Sequence, residues 1–97
     1  MTNNKKAVLV HRIRRDLSPQ ARFEAVLWRL PTPVPGSQHG YKYRYALIVD
    51  DLCVLRYDNE RGKGDHRHLQ NREESYEFTT PEALYRDFIT DIRRILK

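Results

Sequence analysis

Hydrophobic and polar residues alternate along much of the first half of the chain, as is typical of half-buried β-strands. The alternation predicts strands over 7–15 and 23–30. In the second strand both alternating sets are apolar, which predicts a position inside the sheet. Residues 31–36 contain three prolines and end in Gly36, so this segment is predicted to be an extended loop that ends in a turn.

The next two predicted strands, 41–49 and 52–58, are separated only by Asp50 and Asp51. Aspartate tolerates positive φ better than most residues, so this pair predicts a two-residue hairpin turn. A turn of this kind fixes the register of the strands that it joins. It places Tyr43 opposite Asp58 on one face, and Arg44 opposite Tyr57 on the other.

The segment 58–72 has two glycines, many charges and no periodicity, which predicts a loop. Residues 75–78 resemble a short edge strand. Thr80 then suits a helix N-cap, Pro81 the first helical position and Glu82 the positive end of the helix dipole. The apolar residues that follow have helical spacing and predict a helix that packs on the sheet: Leu84, Phe88, Ile92, Ile95 and Leu96.

The predicted fold is a single α+β domain over 1–97, with 1–6 as a flexible N-terminus. A small curled antiparallel sheet of four to five strands packs against one C-terminal helix. The 39% apolar content is too high for a disordered chain and sufficient for one modest core. No apolar run approaches the ~20 residues of a membrane span, and the first residues lack the apolar stretch of a secretory signal.

The single cysteine, Cys53, excludes an internal disulfide. These features together predict a cytoplasmic protein that is not bound to a membrane. The formal net charge of +5 indicates an anionic partner, either nucleic acid or an acidic protein. A merely soluble basic protein is the alternative.

The densest chemistry lies in the segment from Tyr57 to His68. His66 and His68 can exchange protons near neutral pH, and a strand through them would place both rings on one face. Three roles are predicted for this segment together with Arg44, which the predicted register places opposite Tyr57: catalysis by His66, His68 and Tyr57; phosphate binding by Arg44, Arg61 and Lys63; and support by Asp58, Asp65 and Arg67.

Zinc would need a third strong ligand beside the two histidines, and the sequence supplies only Asp58 or Asp65 as weak candidates. No metal and no other cofactor is therefore predicted. The alternative reading of the whole segment is a solvated charged loop.

Other residues have simpler explanations. His11 is predicted to be half-buried on an apolar strand face, and Cys53 to be a small core residue. Tyr41, Tyr43 and Tyr45 alternate along one face, which favours packing over stacking on bases. Trp28 is predicted to be a core residue or an anchor for a partner.

Four stretches resemble the TumE-like family of toxins from bacterial toxin–antitoxin pairs. They are 42–44 (Lys-Tyr-Arg), 56–59 (Arg-Tyr-Asp-Asn), 62–68 (Gly-Lys-Gly-Asp-His-Arg-His) and 76–78 (Tyr-Glu-Phe) before the helix. The resemblance covers roughly 8–96. It implies a toxin that is paired with a helix-turn-helix antitoxin, and it implies no particular catalytic residues.

Two functions follow as hypotheses. One is a metal-independent ribonuclease that acts as the toxin of such a pair, with RNA as its target. The other is a non-catalytic module that binds nucleic acid or protein and is neutralised by the antitoxin. A homodimer is compatible with both hypotheses. The histidine pair separates them, because a binding module needs the cations but not the histidines.

Overall fold

The computed structural model describes residues 6–97. The prediction of a flexible N-terminus over 1–6 therefore falls outside the described residues, apart from Lys6. Six strands and one helix follow in chain order: β1 Val8–Asp16, β2 Ala21–Arg29, β3 Tyr41–Val49, β4 Leu52–Glu60, β5 Gly64–Leu69, β6 Arg72–Ser75 and α1 Pro81–Leu96. The strands form one antiparallel sheet in the order β1-β2-β3-β4-β5-β6.

The α+β class is confirmed, but the predicted strand number of four to five is wrong. The segment 58–72, predicted to be a loop, instead contains the end of β4, a short turn and the whole of β5. Leu69 is the only apolar residue in β5, so the strand shows no hydrophobic alternation. The last strand is Arg72–Ser75 and not 75–78, since the chain leaves the sheet after Ser75.

A β-bulge in β4 changes the predicted register of the central hairpin. Asp50 and Asp51 both have positive φ, 52° and 66°, as the two-residue turn requires. Val49 pairs with Leu52 and Ile48 with Cys53, but the next pair is Leu47 with Leu55. Val54 is thus one extra residue, and one extra residue moves every later side chain to the opposite face.

The predicted pairs beyond this bulge are therefore wrong by one residue. Arg44 pairs with Asp58 and not with Tyr57. Tyr43 donates its backbone N–H to the side chain of Asn59 and does not lie opposite Asp58. Tyr57 pairs with Tyr45 instead, on the buried face.

The helix packs on one face of the sheet, as predicted. Thr80 Oγ1 accepts the Ala83 backbone N–H at 3.0 Å and so caps the helix. Phe88 is fully buried, and its ring centroid lies 5.4–5.9 Å from those of Phe23, Tyr45 and Tyr57. Within residues 6–97 no helix is both long enough and apolar enough to cross a membrane.

The structure shows the burial of the histidine, tyrosine and cysteine residues for which the sequence predicted a structural role. His11 is half-buried, and its Nε2 lies 2.7 Å from the Tyr45 hydroxyl. Tyr43 and Tyr45 are buried packing residues, as expected. Cys53 is exposed, so its prediction as a core residue is wrong. It pairs with Ile48, which alternates along β3 with the core residue Leu47, so Cys53 lies on the sheet face that the helix does not cover.

The other face of the sheet carries no helix and is called the open face below. It comprises the strand side chains that alternate with the core residues, among them Trp28, Arg44 and His66. Arg44 is exposed and Trp28 is half-buried. Trp28 therefore lies outside the helix-covered core.

Candidate functional site

The two histidines lie on the open face, where two cross-strand rows of side chains run side by side. In the first row Arg44 pairs with Asp58, and Asp58 pairs with His66. In the second row Arg56 pairs with His68, and His68 pairs with Glu73. The prediction that a strand would place both histidines on one face is confirmed. Their ring centroids are 6.4 Å apart.

The hydrogen bonding of His66 defines which nitrogen is free. Nδ1 lies 3.0 Å from the carbonyl oxygen of Gly64. Because a carbonyl oxygen can only accept, Nδ1 carries the hydrogen in this contact. In the neutral ring the lone pair is then on Nε2. That atom faces the Glu73 carboxylate at 3.9 Å.

His68 Nε2 faces two carboxylates. It lies 3.4 Å from Glu73 Oε2 and 3.8 Å from Asp58 Oδ1. Neither contact is an aligned hydrogen bond, and both Nε2 of His68 and Oδ1 of Asp58 are buried atoms that make none.

Arg56 joins the same cluster from the neighbouring position on β4. Its Nε lies 3.0 Å from Asp58 Oδ2, yet it makes no aligned hydrogen bond, so the contact is an ion pair. The Asp58 side chain is only 9% exposed. Asp58 thus lies between Arg56 and His68.

Lys63 and His66 line one shallow depression of about 410 Å³ together with Glu73, Glu74 and Ser75. Lys63 is exposed, and its Nζ lies 3.8 Å from Glu60. Arg61 is exposed in the same β4–β5 turn. The structure therefore brings Lys63 close to His66, and places Arg44 on the same face one strand beyond Asp58.

The proline-containing loop holds this turn in place. Gly62 donates its backbone N–H to the carbonyl of Pro35 at 2.6 Å. Gly36 and Gly64 both have positive φ, and a Cβ added to Gly64 would lie 2.8 Å from the Gly36 carbonyl oxygen. Two glycines are thus needed for the backbones to approach this closely.

Tyr57 and Arg67 lie on the helix-facing side, away from the histidines. The Tyr57 hydroxyl donates to Asp91 Oδ2 at 2.5 Å, and Arg67 bridges Asp91 and Glu74 at 3.0 and 2.8 Å. Burial and the hydrogen bond to Asp91 raise the pKa of Tyr57. The phenol therefore stays protonated near neutral pH, and its hydrogen is committed to Asp91.

Asp65 also lies on the helix-facing side. Its two oxygens accept from Ser37 Oγ and His39 Nε2, each at 2.6 Å. His39 Nδ1 accepts the Tyr41 N–H at 3.1 Å, so both ring nitrogens are occupied. His39 stacks on Phe78 with a centroid distance of 3.9 Å, and this cluster secures the loop against β5.

Sequence reasoning missed Arg56, Glu73 and His39 as neighbours of the candidate residues. Arg56 and Glu73 become visible only when β4, β5 and β6 are paired, because their positions follow from the registers. His39 lies 26 residues from Asp65 and carries no local signal. Across the described residues 6–97, no three His, Cys, Asp or Glu side chains are placed to hold a metal ion.

Fold and site together define a small α+β protein whose sheet has one helix-covered face and one open face with histidines and cations. The chain belongs to the TumE toxin family, since the family model described as Toxin TumE matches residues 2–96. The resemblance seen in the sequence is thereby confirmed, and membership supports a toxin role. No curated protein and no solved structure matches the chain significantly.

Proposed function

We propose that this toxin acts on RNA as a metal-independent ribonuclease, with His66 and His68 as its acid–base pair. One observation carries the proposal: Nε2 of both rings faces the same carboxylate oxygen, Oε2 of Glu73, at 3.9 and 3.4 Å. In acid–base cleavage of RNA the phosphate lies between a general acid and a general base. The two imidazoles are arranged in this way around the Glu73 carboxylate. Glu73 is half-exposed and can move aside.

The proposed reaction is transfer of the phosphoryl group to the neighbouring 2′-oxygen. Nε2 of His66 takes the proton of the 2′-hydroxyl, and the 2′-oxygen bonds to phosphorus. The bond from phosphorus to the 5′-oxygen breaks, and His68 gives that oxygen a proton. The products are a 2′,3′-cyclic phosphate and a 5′-hydroxyl, so protons balance and neither a metal nor a redox partner takes part.

Cations near the pair would stabilise the charge that develops on the phosphoryl oxygens. Lys63 shares the depression with His66, and Arg44 lies across Asp58 on the same face. Arg61 is the third predicted phosphate-binding residue and extends from the turn that holds Lys63. Tyr57 has no part in this scheme, because it lies on the other face.

A helix-turn-helix antitoxin is the proposed partner, with an acidic segment that covers the open face. The formal net charge of +5 supports this complementarity. Binding of this kind weakens as salt is added. A complex indifferent to changes at Arg44, Arg61 and Lys63 would contradict this part of the proposal.

The test is cleavage of single-stranded RNA by purified protein in EDTA. His66→Ala and His68→Ala are each expected to reduce cleavage by about 10²–10⁴-fold while the fold is retained. His11→Gln is the matched control, because His11 lies on the helix-facing side next to Tyr45. Products with cyclic phosphate ends support the chemistry.

The alternative is the non-catalytic module, which binds its target and blocks it. It predicts that the double variant His66→Ala/His68→Ala is as toxic as the unaltered protein at equal expression. That result, or the absence of cleavage by purified unaltered protein, would leave the binding module as the better account.

A further inference from the structure

The open face continues well beyond the histidines, towards β1. Its first cross-strand row runs from His66 through Asp58 and Arg44 to Val26 and Arg12, each paired with the next. Adjacent strands lie about 4.8 Å apart, so Arg44 is about 10 Å and Arg12 about 19 Å from His66 along this row. The row therefore places cations at intervals along a line that ends at the proposed catalytic pair.

The charge of this row is available to a ligand. Arg12 and Arg44 are exposed, and in the part of the chain that the structure describes neither forms an ion pair. By contrast, Arg22 is paired with Glu24 at 3.0 Å and Arg56 with Asp58 at 3.0 Å. Two unpaired cations thus lie on the row itself, whereas other exposed arginines without an ion pair among the described residues, including Arg14, Arg29 and Arg93, lie off it.

Trp28 lies beside this row and is aromatic and uncharged. It pairs with Lys42 across the sheet, two residues beyond Val26 on β2. A hollow of about 150 Å³ next to it is lined by Val26, Arg44 and Asp58. A large aromatic ring next to exposed cations on an uncovered sheet face is a platform on which a nucleic-acid base can stack.

We propose that the open face is a track for single-stranded RNA, with one base stacked on Trp28 and the backbone phosphates on Arg44 and Arg12. The proposal rests on the proposed function, since it names the form of RNA that the histidine pair would cleave. Single strands are favoured because a base in a duplex has both faces covered and cannot stack on the indole. An acidic antitoxin segment would use the cations but would not need a flat aromatic platform.

The test measures binding rather than cleavage. The probe is a mixed-sequence 2′-O-methyl oligoribonucleotide, which cannot be cleaved through its 2′-oxygen, and the readout is fluorescence anisotropy. Trp28→Ala is expected to weaken binding by about 5- to 150-fold, and Trp28→Phe to restore most of it. Arg44→Ala is expected to reduce the slope of log affinity against log salt by about 0.7.

Arg93→Ala is the matched control, because it removes one positive charge from an exposed position on α1. It should leave binding almost unchanged, and a duplex of the same sequence should bind more weakly and be insensitive to Trp28→Ala. Equal binding by Trp28→Ala, equal loss in Arg93→Ala, or preference for the duplex would each overturn the track. Normal binding without any cleavage would contradict the ribonuclease but leave the track supported.

Discussion

The carboxylate of Glu73 lies 3.4 Å from Nε2 of His68, in the position that the proposed chemistry gives to a phosphate. Its negative charge therefore repels an incoming phosphate from that position. Glu73 belongs to β6, the short edge strand whose four residues are all exposed. The carboxylate beside the histidine pair thus belongs to a side chain that solvent can reach.

The first prediction concerns this repulsion. Glu73→Gln is expected to raise affinity for the uncleavable oligonucleotide severalfold, because the repulsion between the carboxylate and phosphate is removed. Glu77→Gln is the control, since it removes the same charge from an exposed position in the segment between β6 and α1. If both variants gain affinity equally, only net charge is being measured, and Glu73 does not occupy the phosphate position.

The second prediction separates the two faces of the sheet. Tyr57→Phe removes the hydrogen bond to Asp91 and is expected to lower the free energy of unfolding by about 1–3 kcal/mol. Cleavage of RNA should remain within about twofold of the unaltered protein, because Tyr57 faces the helix. A loss of cleavage as large as that in His66→Ala, at equal folded fraction, would restore Tyr57 to the catalytic site.

The third prediction concerns the core. Phe88→Ala is expected to lower the free energy of unfolding by about 3–5 kcal/mol, as for other buried phenylalanines, because Phe88 contacts three aromatic rings of the sheet. Leu96→Ala, at a position that is 38% exposed, should cost far less. Urea unfolding of both variants measures the difference, and similar losses would mean that the helix is not packed through Phe88.

The features of the fold that the sequence predicted correctly depend on residues close together in the chain. The Asp50–Asp51 turn, the cap at Thr80 and the helix stripe were all predictable, because each is set by neighbours in the chain. The bulge at Val54 was not, since nothing in an apolar run indicates which residue lacks a partner. That single residue moved Tyr57 away from Arg44, so one of the three predicted catalytic residues had the wrong face.

The hairpin of β5 and β6 was missed for another reason. Its residues are almost all polar, because one face is open and the other joins charged groups such as Arg67 and Glu74. Hydrophobic alternation indicates which face of a strand is buried. The β5–β6 hairpin has too few apolar side chains to show such an alternation. The histidine pair itself was found, because two histidines two residues apart share a face on any strand.

The fourth prediction uses the two glycines of the β4–β5 turn. Gly62 and Gly64 have φ of 82° and 79°, so alanine strains the backbone similarly at both. A Cβ on Gly62 meets nothing within 4 Å, whereas a Cβ on Gly64 meets the Gly36 carbonyl at 2.8 Å. Gly64→Ala should therefore lower the free energy of unfolding by roughly 1–3 kcal/mol more than Gly62→Ala does. Urea unfolding of the two variants measures this difference.

Gly64→Ala is also expected to reduce cleavage, because the displaced turn carries Lys63. Equal stability of the two variants would show that the proline-containing loop can move away from the turn at no cost. The contact between Gly36 and Gly64 would then not position the site.

The fifth prediction concerns pH. Burial lowers the pKa of His11, so the unfolded chain takes up a proton at a higher pH than the folded one. The contribution of neutral His11 to the free energy of unfolding is complete above the ordinary histidine pKa of about 6.5. It is lost as the pH falls through the lowered pKa of the folded state. His11→Gln should lose less stability than the unaltered protein between pH 7.5 and 5 in urea unfolding. An identical loss in both would assign the acid sensitivity to other groups.

The order of the strands also sets the order in which the parts of the proposed site are made during synthesis. Each strand pairs with the one made just before it, so the sheet can assemble from the N-terminus as the ribosome releases the chain. The histidines lie on the fifth strand, Glu73 on the sixth, and the helix that buries the aromatic core comes last. A ribosome-bound fragment with four strands therefore lacks His66 and His68 and, by the proposed mechanism, does not cleave RNA.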